Sequence, residues 1–125
     1  MNKICTTIEQ SKKLAKILPI ESADMFLALD GTTPVMSKYI DNGFVTADNT
    51  AIPCWSLAAL LDYLAEKDCF PEVTYTGTCY LMDINFYDDE EGNIVHPIHF
   101  IRTEGESLVD TCFEMIVKLK EKDLL

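Results

Sequence analysis

Residues 107–122 read SLVDTCFEMIVKLKEK, and this stretch decides the fold of the C-terminal half. Ser107 stands where it can cap a first helical turn, and Asp110 follows where its carboxylate can reach back to the cap. Acidic residues precede the pattern and lysines end it, which suits the helix dipole. The apolar stripe consists of Leu108, Val109, Cys112, Phe113, Met115, Ile116, Val117 and Leu119. A stripe this wide predicts a core helix on a sheet, with a partner-binding helix as the alternative.

A second apolar pattern predicts another helix in the middle of the chain. Ser56 is the expected cap, and leucines recur after it at helical spacing. The helix is expected to end around Lys67 and Asp68, because Pro71 follows and disfavours helical geometry before it.

After this helix the apolar period becomes that of strands. Three strands are predicted, at 73–76, 79–87 and 94–102. Pro97 indicates that the third strand lies at an edge or contains a bulge. In the second strand one face is predicted to carry Tyr80, Met82, Ile84 and Phe86.

The N-terminal part is read less completely from its pattern. A capping box pairs either Thr6 with Glu9 or Thr7 with Gln10, and the helix after it ends at Pro19. Residues 22–29 fit a short helix or a strand equally well. Residues 32–52 are rich in turn residues and predict an irregular excursion or a small hairpin, with candidate strands at 35–36 and 44–46.

Length and composition predict a single globular domain over residues 1–125. The chain is 48% hydrophobic and 25% charged, which is not the composition of a disordered segment. No apolar run approaches the roughly 20 residues that span a bilayer. The first residues lack the apolar core of a signal peptide, so we expect a cytoplasmic protein without a membrane partner.

The cysteines predict neither a disulfide framework nor a zinc site. They stand at positions 5, 54, 69, 79 and 112, an odd number without a CxxC motif. Cys79, in a predicted strand, and Cys112, on the apolar helix face, are expected to be small core hydrophobes.

The net charge of −11 is unevenly spread. Residues 1–20 hold four lysines and one glutamate, whereas residues 21–102 hold fourteen acidic and three basic residues. Such a chain repels phosphate backbones, so we expect no nucleic-acid partner. The charge suits a basic protein partner, although its commoner role is to keep a small protein soluble.

The sequence contains no familiar catalytic motif. GxSxG, P-loop and GxGxxG patterns are absent. His96 and His99 are three residues apart, which on a regular strand puts them on opposite faces unless Pro97 creates a bulge. The acidic loop that begins at Asp88 lacks the glycine and glutamate positions of an EF-hand. We therefore expect no enzyme, no cofactor and no metal.

Two features are candidates for contact with a partner. Trp55, the only tryptophan, either anchors the start of the middle helix by packing or meets a partner. The acidic loop is either a solvated turn or a docking element for a basic surface. Its candidate residues are Asp88, Asp89, Glu90 and Glu91.

Residues 6–14, 22–25, 55–61 and 107–125 resemble a group of small uncharacterised proteins. These are encoded by gut anaerobic bacteria and by their prophages or other mobile elements. The resemblance implies a mobile-element context, with a binding or interference role, and it assigns no catalytic residue.

The predicted order helix, three strands, helix over residues 56–122 resembles the double-stranded-RNA-binding fold and the antitoxins that share its topology. In that RNA-binding family a basic cluster at the start of the last helix grips phosphate. This chain has Glu104, Glu106 and Asp110 there, so the resemblance does not extend to RNA binding.

These observations lead to one fold and three functional hypotheses. We expect an α+β fold, with three main helices packed on a small antiparallel sheet and a C-terminal α-β-β-β-α part. We favour a small acidic binding module acting on an unknown protein partner, with self-association left open. The alternatives are an acidic nucleic-acid-mimicking inhibitor or antitoxin-like regulator, and then a small hydrolase that uses His96 or His99 in a concave pocket.

Overall fold

The computed structural model describes residues 3–27, 34–36, 52–88 and 96–125, and the side chains of 3–27, 52–86 and 100–125. A short 3-10 turn, Ile20–Ser22, precedes the first strand. The helices and strands in chain order are α1 Ile8–Leu14, β1 Met25–Leu27, β2 Pro34–Met36, β3 Ile52–Cys54, α2 Leu57–Glu66, β4 Glu72–Tyr75, β5 Tyr80–Asp88, β6 His96–Gly105 and α3 Leu108–Glu121.

The described strands form two antiparallel sheets. In the first sheet β1 is central and pairs with β2 and β3, and in the second β5 is central and pairs with β4 and β6. The α+β class and the predicted C-terminal order are confirmed by α2, β4, β5, β6 and α3. We expected one sheet only. The first sheet escaped prediction because its strands are three residues long, too short for an alternation to be distinguished from a helical pattern.

Helix α3 is buried on more than one side. It packs against β5 and β6, and α2 packs against α3 in turn. Ser107 caps the helix, because its Oγ accepts from the Asp110 N–H at 3.1 Å. At about 100° per residue its buried positions cover roughly two thirds of the helix circumference. These positions are Val109, Thr111, Cys112, Phe113, Met115, Ile116, Val117 and Leu119. Each large apolar side chain there stabilises the fold by about 1.5–3 kcal/mol before entropy is counted.

The second sheet presents its inner face to α3 as the alternation predicts. Met82 and Ile84 are buried, and Ile84 stands opposite buried Ile101. Strand β6 lies at the edge of the described sheet and its register shifts beside Pro97, so the predicted edge position and bulge are both confirmed. Its predicted end at residue 102 is wrong, because pairing continues to Gly105 opposite Tyr80.

The predicted caps of the other helices are decided by the structure, but the predicted end of the first helix at Pro19 is wrong, because α1 ends at Leu14. Thr7 and Gln10 form the capping box of α1, which decides between the two alternatives. Ser56 caps α2 by accepting from the Ala59 N–H at 3.2 Å. Within the ambiguous segment 22–29 a strand forms at Met25–Leu27. The candidate strand at 35–36 lies in β2, whereas the one at 44–46 lies outside the described residues.

The main hydrophobic cluster draws on α1, α2, the second sheet and α3, with Leu14, Leu60, Leu64 and Met115 all fully buried. Among the helices that the structure describes, none combines the length and the apolar character needed to cross a bilayer.

The close approach of β6 to α3 predicts that Gly105→Ala destabilises the fold. A Cβ at position 105 would lie 2.7 Å from Thr111 Oγ1 and 3.2 Å from Thr111 N. We expect overpacking to lower the free energy of unfolding by about 1–3 kcal/mol, measured by urea denaturation. The loss should be smaller in a Thr111→Ala background, because the nearer clashing atom is then absent. Equal losses in both backgrounds would show that this contact is not the cause.

Candidate interaction site

Trp55 lies at a buried junction where residues 3–7, which we call the N-terminal segment, meet the 3-10 turn and α2. Its side chain is 0% exposed. Its backbone N–H donates to Thr6 Oγ1 at 3.1 Å, and its carbonyl accepts from the Thr6 N–H at 3.0 Å. Its indole Nε1–H donates to Ser22 Oγ at 2.9 Å. These contacts match the anchoring alternative. The burial removes Trp55 from the candidate partner contacts, since its side chain does not reach the surface of this conformation.

The polar groups around this junction satisfy one another. Asp24 accepts from the Ser56 N–H at 2.9 Å with one carboxylate oxygen and from the Ser56 hydroxyl with the other. The same hydroxyl oxygen caps α2. Thr6 and Ser11 are buried and are hydrogen-bonded to each other at 2.8 Å. Across the described side chains, no buried nitrogen or oxygen lacks a hydrogen-bond partner. The Ser56 hydroxyl therefore links Asp24 to the first turn of α2.

The acidic loop lies almost wholly outside the described residues. Asp88 ends β5 and pairs in register with His96, while Asp89, Glu90 and Glu91 are not described. The register shift also pairs Phe86 with His99, so the two histidines are two pairing positions apart instead of three. The side chains of both histidines lie outside the described residues, so the hypothesis that either acts in a pocket stays a prediction. The role of the acidic loop remains a prediction.

An exposed apolar surface lies at the other edge of the second sheet, along β4. Phe70, Val73 and Tyr75 are 69%, 46% and 59% exposed. The register places Val73 opposite Met82 and Tyr75 opposite Tyr80, so both side chains lie on the sheet face that α3 covers elsewhere. The Tyr75 and Tyr80 rings are 4.8 Å apart between centroids. We call Phe70, Val73 and Tyr75 the β4 surface.

The backbone of β4 is available for pairing beside this surface. In the described sheet β4 pairs only with β5. The Thr76 N–H donates to the Cys79 carbonyl at 2.9 Å. Because hydrogen-bonded and non-hydrogen-bonded pairs alternate in an antiparallel ladder, the N–H and C=O groups of Val73 and Tyr75 face away from β5. The edge thus presents backbone donors and acceptors together with apolar side chains.

Acidic residues adjoin the β4 surface along the chain. Glu66, Asp68 and Glu72 are exposed at the end of α2 and on β4. Lys67 is the one base among residues 62–75, and its Nζ lies over the Tyr63 ring at 5.7 Å from the centroid. Sequence reasoning missed this site, because an alternating strand pattern does not reveal whether any element covers a given face.

A second, acidic groove of about 370 Å³ lies between residues 21–24 and α2. Glu21, Asp24, Asp62 and Glu66 contribute its carboxylates. No lysine, arginine or histidine is among its described lining residues.

Asp83 is a carboxylate of the second sheet, on the face that α3 does not cover. Asp83 alternates with buried Met82 and Ile84, so it points away from α3. It binds Arg102 through two contacts of 2.6 and 3.0 Å. The hydrogen bond from Arg102 holds the pKa of Asp83 below its usual value. Asp83 is therefore already paired, on the sheet face that points away from α3.

The cysteines divide into buried and partly exposed thiols. Cys54, Cys69 and Cys112 are buried, while Cys5 and Cys79 are partly exposed. Burial raises the pKa of the Cys112 thiol to about 12, as expected for a core thiol. The expectation that Cys79 is a core residue is wrong, because β5 begins at Tyr80 and Cys79 belongs to the turn before it. Within the described ranges, no group of three or more histidine, cysteine, aspartate and glutamate side chains could hold a metal ion.

Asp110 ties the N-terminal segment to α3. Its Oδ1 accepts from Lys3 Nζ and from Gln10 Nε2, each at 2.8 Å. Burial acts to raise the pKa of Asp110, but hydrogen bonds from Lys3, Gln10 and Ser107, with the Lys3 charge, outweigh it and lower the pKa below its usual value.

The Trp55 junction predicts that Ser22→Ala destabilises the fold by about 1–3 kcal/mol, because a buried indole N–H then loses its acceptor. Urea denaturation followed by circular dichroism measures the loss. A Trp55→Phe background provides the control, because phenylalanine has no N–H. There Ser22→Ala should cost much less, and an undiminished cost would contradict the role given to this hydrogen bond.

The Asp110 contacts predict an acid-dependent loss of stability. Because the folded-state pKa lies below the unfolded value of about 3.9, the contribution is full above about pH 4. It is lost as the pH falls through the folded-state pKa. Asp110→Asn should lower stability at neutral pH by about 1 kcal/mol and flatten the acid limb in urea titrations at stepped pH. Glu114→Gln, exposed on the same helix, is the matched control. Identical acid limbs for wild type and Asp110→Asn would exclude this role.

Comparison of the chain with protein-family models, with curated proteins and with solved structures finds no match. A function is therefore inferred from the structure itself, above all from the β4 surface.

Proposed function

We propose that this protein is a small protein-binding module that takes up an extended segment of a partner along the free edge of β4. The main support for this proposal is the exposure of Phe70, Val73 and Tyr75. These residues lie on and beside a strand that, in the described sheet, pairs on one side only. An exposed edge supplies main-chain hydrogen bonds for an added strand, and neighbouring side chains select its sequence. Aromatic side chains are the residues that most often anchor protein interfaces.

The charges around the β4 surface favour a basic partner over a second copy of this chain. Each copy carries a net charge of −11, and β4 itself carries exposed Glu72. Pairing two β4 edges would bring these like charges together, which is destabilising. An incoming strand of alternating apolar and basic residues fits better. Its apolar side chains would lie beside Val73 and Tyr75, and its basic side chains beside Glu72 on the other face.

The described polar groups support a binding role over a catalytic one. Ser56 and Asp24 are engaged in capping α2, and the Trp55 indole is held by Ser22. Burial raises the pKa of the Cys112 thiol to about 12, which makes it a poor nucleophile.

The acidic groove favours a second candidate function, an inhibitor that presents carboxylates to a nucleic-acid-handling protein. Its groove carboxylates, Glu21, Asp62 and Glu66, could contact a basic side chain. This alternative is weaker because Asp83 lies on the other side of the second sheet and is already paired with Arg102.

Titration with a short synthetic peptide of alternating lysine and valine, followed by amide NMR, tests the proposed function. We expect shifts concentrated at the amides of Phe70 and residues 72–76, and an affinity that falls with added salt. Phe70→Ser and Tyr75→Ser should each weaken binding about tenfold, because each removes an exposed aromatic contact. Phe100→Ser is the matched control, since Phe100 is 54% exposed on β6, away from this edge.

The results of this titration distinguish the possible binding partners of the β4 edge. A peptide of alternating glutamate and valine should not bind. Concentration-dependent shifts at residues 70–76 without peptide, with dimers in sedimentation, would show that a second copy occupies the edge. Shifts confined to Glu21, Asp62 and Glu66 would transfer the function to the acidic groove. No shift at either surface would refute the proposal.

A further inference from the structure

Cys5 and Cys54 lie side by side where the N-terminal segment meets β3. Cys5 forms an antiparallel bridge with Ser56, and the Thr6 N–H donates to the Trp55 carbonyl beside it. Alternate residues of a strand share a face, so Cys54, two residues before Ser56, is the diagonal neighbour of Cys5 on the same face. The two thiols lie close enough that each affects the pKa of the other.

The two thiols differ in access to solvent. Cys5 is partly exposed, whereas Cys54 is 0% exposed. A small dissolved oxidant therefore meets Cys5 first, with Cys54 directly behind it. In exposure, Cys5 and Cys54 have the order of a peroxide-reacting thiol and a resolving thiol behind it.

The two thiols also differ in acidity, and the more exposed thiol is the more acidic one. Burial raises the pKa of both thiols, and it raises that of Cys54 further because Cys54 lies deeper. The interaction with Cys54 partly offsets the effect at Cys5, while the charge of Asp24 raises the pKa of both. Cys5 is thus the more acidic thiol and the one that supplies the thiolate for the first step.

We propose that Cys5 and Cys54 form a reversible disulfide when the protein meets a hydroperoxide. The Cys5 sulfur attacks one peroxide oxygen, the O–O bond breaks, and the departing oxygen takes a proton to leave as water. Cys5 is then a sulfenic acid. The Cys54 sulfur attacks the Cys5 sulfur, the S–O bond breaks and a second water leaves. The thiols together lose two electrons and two protons, and hydrogen peroxide is reduced to two waters.

The disulfide would fasten the N-terminal segment to β3. This segment carries Thr6, which is bonded to Trp55, and Lys3, which is bonded to Asp110. A covalent link between residues 5 and 54 restricts the unfolded chain more than the folded one, so it raises stability. In a reducing compartment the link would be transient and would report oxidative conditions. The thiol pair is independent of the β4 surface, which contains neither cysteine.

Peptide mapping of the intact, fully reduced protein after brief exposure to hydrogen peroxide tests the inference. After remaining thiols are alkylated, we expect a Cys5–Cys54 linked peptide under non-reducing conditions. The unfolding midpoint should rise on oxidation and return with dithiothreitol. Cys5→Ser should abolish both changes, and Cys79→Ser, which alters the other partly exposed thiol, should retain both. In Cys54→Ser, a dimedone adduct should accumulate on Cys5.

Several results would overturn the inference. Cys5 oxidised to a sulfinic acid while Cys54 still accepts the alkylating agent would show that the second thiol does not resolve the first. A link from Cys5 to Cys79, or between two chains, would show that the contact between Cys5 and Cys54 does not direct the reaction. Persistence of the stability change in Cys5→Ser would assign it to another group. If Cys54→Ser fails to fold, the Cys5→Ser and Cys79→Ser pair still decides the question.

Discussion

The burial of α3 between the second sheet and α2 is the constraint on which the rest of the structure depends. A helix about 10 Å wide covers roughly two strands spaced about 4.8 Å apart. Helix α3 packs on β5 and β6, and α2 takes up part of its remaining apolar surface. The third strand, β4, therefore extends beyond the helix. Val73 and Tyr75 face the covered side of the sheet and are nevertheless exposed for this geometric reason.

A second constraint comes from hydrogen bonds between segments distant in sequence. Trp55 is bonded to Thr6 and to Ser22, and Asp110 is bonded to Lys3. These bonds bring the N-terminal segment against the starts of α2 and α3. The same convergence sets Cys5 beside Cys54. The thiol contact is thus a consequence of how the N-terminal segment is held, whereas the β4 surface arises where α3 stops covering the sheet.

The parts of the fold that depend on local chemistry could be predicted, and the parts that depend on distant partners could not. Ser56 and Ser107 cap helices because each is followed, within one turn, by a backbone N–H that its side chain can reach. The alternation of apolar and polar residues in β5 likewise indicates which face of the strand is buried. The first sheet, the Asp110 contacts and the burial of Trp55 depend on residues far away in the chain. The β4 surface could not be predicted for the same reason. A strand pattern names an apolar face, but only the packed structure shows whether a helix covers it.

An exposed edge strand can also pair indiscriminately with other chains. Features of β4 limit such pairing and still leave the β4 surface exposed. The strand is four residues long, Pro71 stands directly before it, and Glu72 places a charge on it. Each of these features discourages indiscriminate edge-to-edge pairing. They leave the apolar side chains of Val73 and Tyr75 and their outward backbone groups accessible. Under the proposed function, these features would disfavour a second copy and leave the edge accessible to a strand of opposite charge, which is what selective binding at this edge requires.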